Sequence, residues 1–469
     1  MLWPSGAILP HDIGRLRQKP EEQLGRRVLA AQWTSAYPSF GREARTEGEE
    51  YDPLMRNLQR ITLALVLILL AGRAHSQYDD WTPLVALPLT ANSRAFPGTD
   101  GKWHIVYELV LTNASVTPAT VQRIDVVEAS SPSRILASYE GSELLAHLRT
   151  TANIPAANAM IEFNGTRLFL IDIALKASAK RPKRLLHHFE VLGGAAPSRT
   201  AGTPAPLSYT VAPLDVLAGL PELGPPVLGK GWVALNGCCE VSGVHRSTGL
   251  PVNGKICFAQ RFAIDWMRMD DGGHLVSGDP SDVHSYPDYG ANVLAVADGK
   301  VVDTLNTLDD QKPGHLPDPK TITLENVDGN HVVLDLGGGL FAFYAHMQKG
   351  SVTVARGDEV KRGQVLGKLG NTGNTSAPHL HFHLMDGPSV LGSSGLPYVI
   401  DSFVYAGQVP AAEFAQATDV EGDWSKGLLT TPSPRRGQFP LDLAVVTFSA
   451  AKPAAKGAKP SGSGALKTP

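Results

Sequence analysis

Along residues 105–112, "IVYELVLT", a large apolar side chain recurs at every second position, so Ile105, Tyr107, Leu109 and Leu111 fall on one face of an extended chain. The same kind of run returns in "TVQRIDVVEA", "AMIEFNGTRLFLIDIAL" and "HHFEVL", each bounded by turn residues. Several short strands spread over about 130 residues predict an antiparallel β-sandwich, assigned here to residues 77–215. His187 and His188 lie inside it without acidic or cysteine neighbours and are expected to pack or to face solvent.

The stretch "LAGLPELGPPVLGKG" breaks this pattern with glycine and proline and marks a linker over residues 216–231. Beyond it, residues 232–408 are again strand-like, with turns centred on glycine, as in "GNHVVLDLGGGLFAFYAHM". The whole chain is therefore expected to be all-β. Residues 409–469 form a C-terminal extension that turns to Ala, Lys, Pro, Gly and Ser from about position 450, where disorder is expected.

One short run carries the chemistry. "HLHFH", residues 379–383, alternates three imidazoles with Leu380 and Phe382, so a strand here presents His379, His381 and His383 on one face. A hydrolytic zinc site usually takes three protein ligands and leaves one position open, so a strand of alternate histidines needs ligands from elsewhere in the chain.

Charge adds little. With 42 basic and 45 acidic residues the net charge is -3, which recommends no nucleic-acid partner. The glycines at 337–339 lack phosphate-loop spacing, which disfavours a nucleotide site. The N-terminal region says more. In "MRNLQRITLALVLILLAGRAHSQ", Arg56 and Arg60 precede a short apolar run from Ile61, and Ala74 and Ser76 sit at the offsets for cleavage before Gln77. Residues 55–76 read as a secretory signal peptide, leaving no membrane span in the mature form, and residues 1–54 read as a disordered or mis-assigned leader. Export places the protein in the periplasm or outside the cell. There, cysteines tend to pair, and Cys257 with Cys238 or Cys239 is the expected disulfide.

"YAHM" at 344–347, followed by "GDEVKRGQVLGKLGNTGNTSAPHLHFHLM" at 357–385 and preceded by "YGANVLAVADGKVV" at 289–302, resembles the lysostaphin-type (LytM-like) zinc metalloendopeptidases. These enzymes cut peptides of bacterial peptidoglycan. The resemblance covers about residues 260–390 in collinear order. It implies an open groove between two antiparallel sheets, Zn2+ as cofactor and peptidoglycan peptides as partners. Carried over position by position, it also implies that His346 and His379 are catalytic and His381 is a zinc ligand. His383 stands where the family commonly has an acidic residue, and is expected to be a supporting hydrogen-bond donor or a surface group.

The family's remaining ligands come as His-x-Gly-x-Asp, and here the sequence departs. "HSYPD", His284 to Asp288, is the one literal His-x-x-x-Asp of the region, but Asp288 lies too close to Gly290 to match. Asp265 in "AQRFAIDWMRM" fits better, because Phe262, Ile264 and Trp266 alternate away from it as an apolar face and a carboxylate there needs a partner. That partner is a metal, or Arg261 or Arg268. Arg261 then occupies the motif's histidine position, and arginine does not ligate zinc. The turn-rich "STGLPVNG" suggests a loop that returns His245 beside Asp265, braced by the Cys257 disulfide, with His284 and then His274 as the alternatives.

Two other readings compete with a zinc endopeptidase. One is a metal-free module on the same scaffold that binds cell wall or regulates another hydrolase. The other is a biotinyl or lipoyl carrier, which needs a lysine at an exposed hairpin tip, a setting that Lys361 and Lys368 lack.

Overall fold

The computed structural model describes residues 79–416 and 422–449. The expected leader, signal peptide and tail from position 450 lie outside the described residues. Within them the chain is all-β, with two short helices, Gly141–His147 and Ala411–Gln416. No helix among the described residues is long and apolar enough to cross a membrane.

The first half builds two sheets face to face. One orders Leu84–Pro88, Lys102–Asn113, Thr166–Lys176 and Leu148–Thr150, and the other orders Asn92–Arg94, Ala205–Leu217, Arg184–Gly193, Ala119–Glu128 and Ser131–Glu140. Their inner faces alternate as the sequence predicts: Ile105, Tyr107, Leu109 and Leu111 are all buried, against Ile124, Val126, Phe189 and Val191 from the facing sheet. Such interdigitation of two pleated faces makes a β-sandwich core.

The second half is dominated by one eleven-stranded sheet. Its central order runs Ala444–Phe448, Gly229–Leu235, Ile264–Arg268, Leu380–Met385, Leu340–Met347, Asn330–Gly337 and Gly299–Leu305, all antiparallel neighbours. A smaller sheet, Asn292–Leu294 with Val365–Lys368, packs Val293 and Leu366 into the same core as Leu380, Phe382 and Tyr344. Every residue of Leu380–Met385 is buried, as expected of a central strand covered on both faces. The strand Ala444–Phe448 returns from the C-terminal region to pair beside Gly229–Leu235.

The two halves are docked rather than strung apart. Phe96 and Val106 of the sandwich belong to the core of the large sheet, and Leu168 and Leu170 of the sandwich pack on Phe258. Phe439 also donates its backbone N–H to Pro97 O at 2.8 Å.

One sequence expectation is overturned. The disulfide joins Cys238 to Cys239, and Cys257 is free and buried, with its thiol donating to Gly392 O at 3.2 Å. The hairpin Leu250–Val252/Lys255–Cys257 turns the Cys257 sulfur to that carbonyl, so a disulfide does not brace the loop carrying His245.

Candidate active site

The site forms where three central strands run side by side. Strand register sets Asp265 directly opposite His381, and Ala345 opposite His381 on the other side. Residues opposite one another across an antiparallel pair share a face, so the carboxylate and the imidazole become neighbours although 116 residues separate them in sequence. Ala345 leaves room above the strand. Leu380, Phe382 and Leu384 point the other way into the main core, as the alternation of "HLHFH" predicts.

Three donor groups converge. His381 Nδ1 lies 2.8 Å from Asp265 Oδ1, and His245 Nε2 lies 3.3 Å from Asp265 Oδ2. The ligating atoms of His245, Asp265 and His381 all fall within 4.8 Å of one another, and all three residues are buried. Zinc bonds to nitrogen and oxygen are about 2.0–2.2 Å long, which places donors around one ion at about these mutual separations. Two imidazoles and a carboxylate are also the chemistry of a hydrolytic zinc site, so the residues present fit the metal that the resemblance implies.

Each donor is held from behind. His245 Nδ1 donates to Ala263 O at 3.2 Å, leaving Nε2 with its lone pair toward the centre. Asn236 Nδ2 donates to Asp265 Oδ2 at 2.7 Å, and His381 Nε2 and His383 Nδ1 are 3.0 Å apart. With Nδ1 of His381 turned to the centre, its Nε2–H is the donor of that pair. Such second partners fix tautomer and ring angle; His383 is buried and accepts here, rather than donating or lying at the surface.

His346 and His379 complete the cluster, with ring centroids 4.6 Å apart. Regular alternation would send His346 the opposite way from Ala345, into the core with Tyr344. Instead it takes φ 60°, a left-handed conformation, at a register shift between Leu340–Met347 and Asn330–Gly337. A bulge of this kind re-aims a side chain, and here it turns the imidazole to within 5.9 Å of the His381 ring centre. His346 Nδ1 donates to Thr372 O at 2.7 Å, and His379 Nδ1 donates to Ala377 O at 2.8 Å. Thr372 reaches this position because it packs on Gly329, where a Cβ would overlap its carbonyl.

The electrostatics separate the two imidazoles. Burial alone would raise the Asp265 carboxyl, but His245 and His379 beside it hold it well below the usual carboxylate range. Burial favours a neutral His379, yet the Asp265 charge outweighs this and raises its proton affinity. Burial drives His346 well down, helped by the neighbouring His379 and His381. One imidazole is thus biased to carry a second proton and the other to keep a free lone pair.

The alternatives to His245 sit elsewhere. His284 is exposed and bonded to Asp282 at 2.9 Å, and His274 pairs with Asp270 at 3.5 Å. Asp288 is buried, but its oxygens have no hydrogen-bond partner among the described residues, and burial pushes its carboxyl up to about 8. Arg261 does not pair with Asp265; it turns to Glu108 of the sandwich. Asn236, Glu108 and Arg246 had no signal in the sequence, since each acts through a partner remote along the chain. A second grouping of possible donors, His104, Asp172 and Cys239, has its sulfur engaged in the Cys238–Cys239 bond.

Residues 283–391 match the model of peptidase family M23. Over 57 residues the chain is 42% identical to the peptidoglycan DD-endopeptidase ShyA of Vibrio cholerae, covering 12% of this chain and 13% of that protein. Over 103 residues it is 35% identical to the glycyl-glycine endopeptidase ALE-1 of Staphylococcus capitis, covering 22% and 24% respectively. The chain thus spans a quarter or less of the length of these curated relatives. Among solved structures, the catalytic domain of lysostaphin from Staphylococcus simulans is 24% identical, covering 31% of this chain and 80% of that one at a TM-score of 0.19. His245 and Asp265 fall upstream of the family match, so their place in the site rests on the geometry above.

Proposed function

We propose that this chain, which carries a peptidase family M23 domain over residues 283–391, is an exported zinc endopeptidase that hydrolyses stem or cross-bridge peptides of peptidoglycan. The observation that carries the reading is the convergence of His245 Nε2, Asp265 and His381 Nδ1 on one buried point beside two further imidazoles. The relatives named above support the substrate class. The signal-like segment before Gln77 supports export.

Bound zinc supplies Lewis acidity, polarising a carbonyl and making water a nucleophile near neutral pH. The protein's own residues do the rest. Asp265, kept anionic, would hold the cation together with His245 and His381. His346, neutral and with Nδ1–H committed to Thr372 O, offers its Nε2 lone pair as the proton acceptor from the attacking water. His379, whose Nε2 lies 3.4 Å from Asp265 Oδ1, would when protonated offer its Nε2–H to the oxyanion that develops at the scissile carbonyl. After attack, the proton taken by His346 is passed to the departing amine.

The test is zinc content by elemental analysis of the chain from Gln77, together with release of new amino termini from purified peptidoglycan. About one zinc per chain, with hydrolysis lost on chelation and regained on zinc addition, is the expected result. A protein that takes up no zinc when supplied with it and releases no termini overturns the reading and leaves a metal-free wall-binding or regulatory module.

A further inference from the structure

Glu108 lies on the sandwich strand Lys102–Asn113, yet its carboxylate is wholly buried against two guanidiniums of the other half of the molecule. Arg246 donates Nη1 to Oε1, and Arg261 donates Nη2 to Oε2. Arg261 adds Nε to Oε1 at 2.8 Å and to Oε2 at 3.1 Å. Arg246 is 1% exposed and Arg261 4%, so the triad is sealed from water.

What these arginines hold is the metal centre's scaffold. Arg246 directly follows His245. Its Nη2 reaches into the sandwich sheet, donating to Tyr107 O at 3.0 Å and Ile171 O at 3.3 Å. Arg261 donates Nη1 to Gly395 O at 2.8 Å and sits in the turn leading to Ala263, whose carbonyl orients His245, and to Asp265. The chain between Gly229–Leu235 and Leu250–Val252, which bears His245, contains no strand of its own. Its backbone bonds around His245 are local turns, Ser247 N to Gly243 O and Thr248 N to His245 O. Arg149 of the sandwich grips the same segment, donating to Val241 O at 2.6 Å.

We infer that Glu108 is a positioning residue for the zinc ligands His245 and Asp265, so that the sandwich completes the metal centre of the peptidase sheet. The inference rests on the zinc reading above. A buried ion group fixes register more reliably than it adds stability, because each charge, once removed from water, tolerates no arrangement that leaves it unpaired. One carboxylate thereby ties two ligand-bearing segments, 138 and 153 residues away in sequence, to a single point. Arg261 holds one arm of this tie, and His245 lies directly beside Arg246, the other arm.

The experiment uses the full chain, with zinc affinity measured by competition against a fluorescent chelator and coordination read from the visible spectrum of the Co2+-substituted protein. Glu108→Gln is expected to weaken zinc binding about 10–100-fold and to change the Co2+ spectrum, as loss of a supporting partner does at metal sites. Glu108→Asp, which keeps the charge, is expected to lose less. Leu185→Ala, in the sandwich core and outside this hydrogen-bond set, destabilises the same half of the molecule and is expected to keep wild-type zinc affinity. If Glu108→Gln does not fold, Glu108→Asp against Leu185→Ala carries the same comparison. Wild-type affinity and spectrum in the Glu108 variants, or equal weakening by Leu185→Ala, overturns the inference. A wild-type chain that takes up no zinc overturns the functional reading itself before any variant is compared.

Discussion

Buried histidines occur in both halves of the molecule, and they are wired differently. In the sandwich, His187 spends both nitrogens on separate partners: Nδ1 donates to Ala212 O at 2.7 Å and Nε2 meets the Tyr107 hydroxyl at 2.7 Å. His147 does the same with Leu170 O and Glu143. In the second half, His245, His346 and His379 each commit Nδ1 to a backbone carbonyl, and His381 commits Nε2 to His383. Their other nitrogens face one shared region. A packed histidine divides its two nitrogens between unrelated partners, whereas His245, His379 and His381 each turn one nitrogen to the same carboxylate, Asp265, the arrangement of a shared centre.

The comparison can be broken at several points. His381→Ala or Asp265→Ala removes one of three donors and is expected to abolish both zinc retention and peptidoglycan hydrolysis, checked by elemental analysis and by release of amino termini. His346→Ala and His379→Ala should cut kcat about 10²–10⁴-fold while zinc content stays at the wild-type level, which separates proton handling from metal holding. Loss of zinc in His346→Ala would reassign it as a ligand.

On the sandwich side, burial lowers His187 to about 4, below its ordinary value near 6.5. The unfolded chain therefore binds this proton more readily, and the fold loses stability as pH falls from about 6.5 to about 4. His187→Gln should flatten that acid slope by up to about 3 kcal/mol in denaturant unfolding and leave zinc affinity unchanged. The smallest effect is expected at His284→Ala, an exposed position, with stability within about 0.5 kcal/mol of wild type and full zinc content.

Much of this was legible along the chain. Ile105, Tyr107, Leu109 and Leu111 announce the sandwich because a two-residue period depends only on neighbouring residues. "HLHFH" announces a ligand-bearing strand for the same reason, and Asp265 stands out as a lone carboxylate among Phe262, Ile264 and Trp266. The cysteines misled, because their pairing depends on where the loops travel: Cys238 and Cys239 bond each other while Cys257 turns to Gly392. His346 could be named from its resemblance to a family segment, but its direction could not, since a regular strand would have hidden it in the core.

By itself, then, the sequence determined the all-β alternation, the face carrying His379 and His381, and the kind of metal chemistry those residue types favour. Tertiary structure alone decided that His245, rather than His284 or His274, joins Asp265 and His381, and that Glu108 holds the segment bearing it. The physical reason is distance along the chain. Periodicity is set by backbone geometry within a few residues. The meeting of three donors is set by strand register and by burial of a shared ion group between the two halves, which exist only once the remote segments have packed.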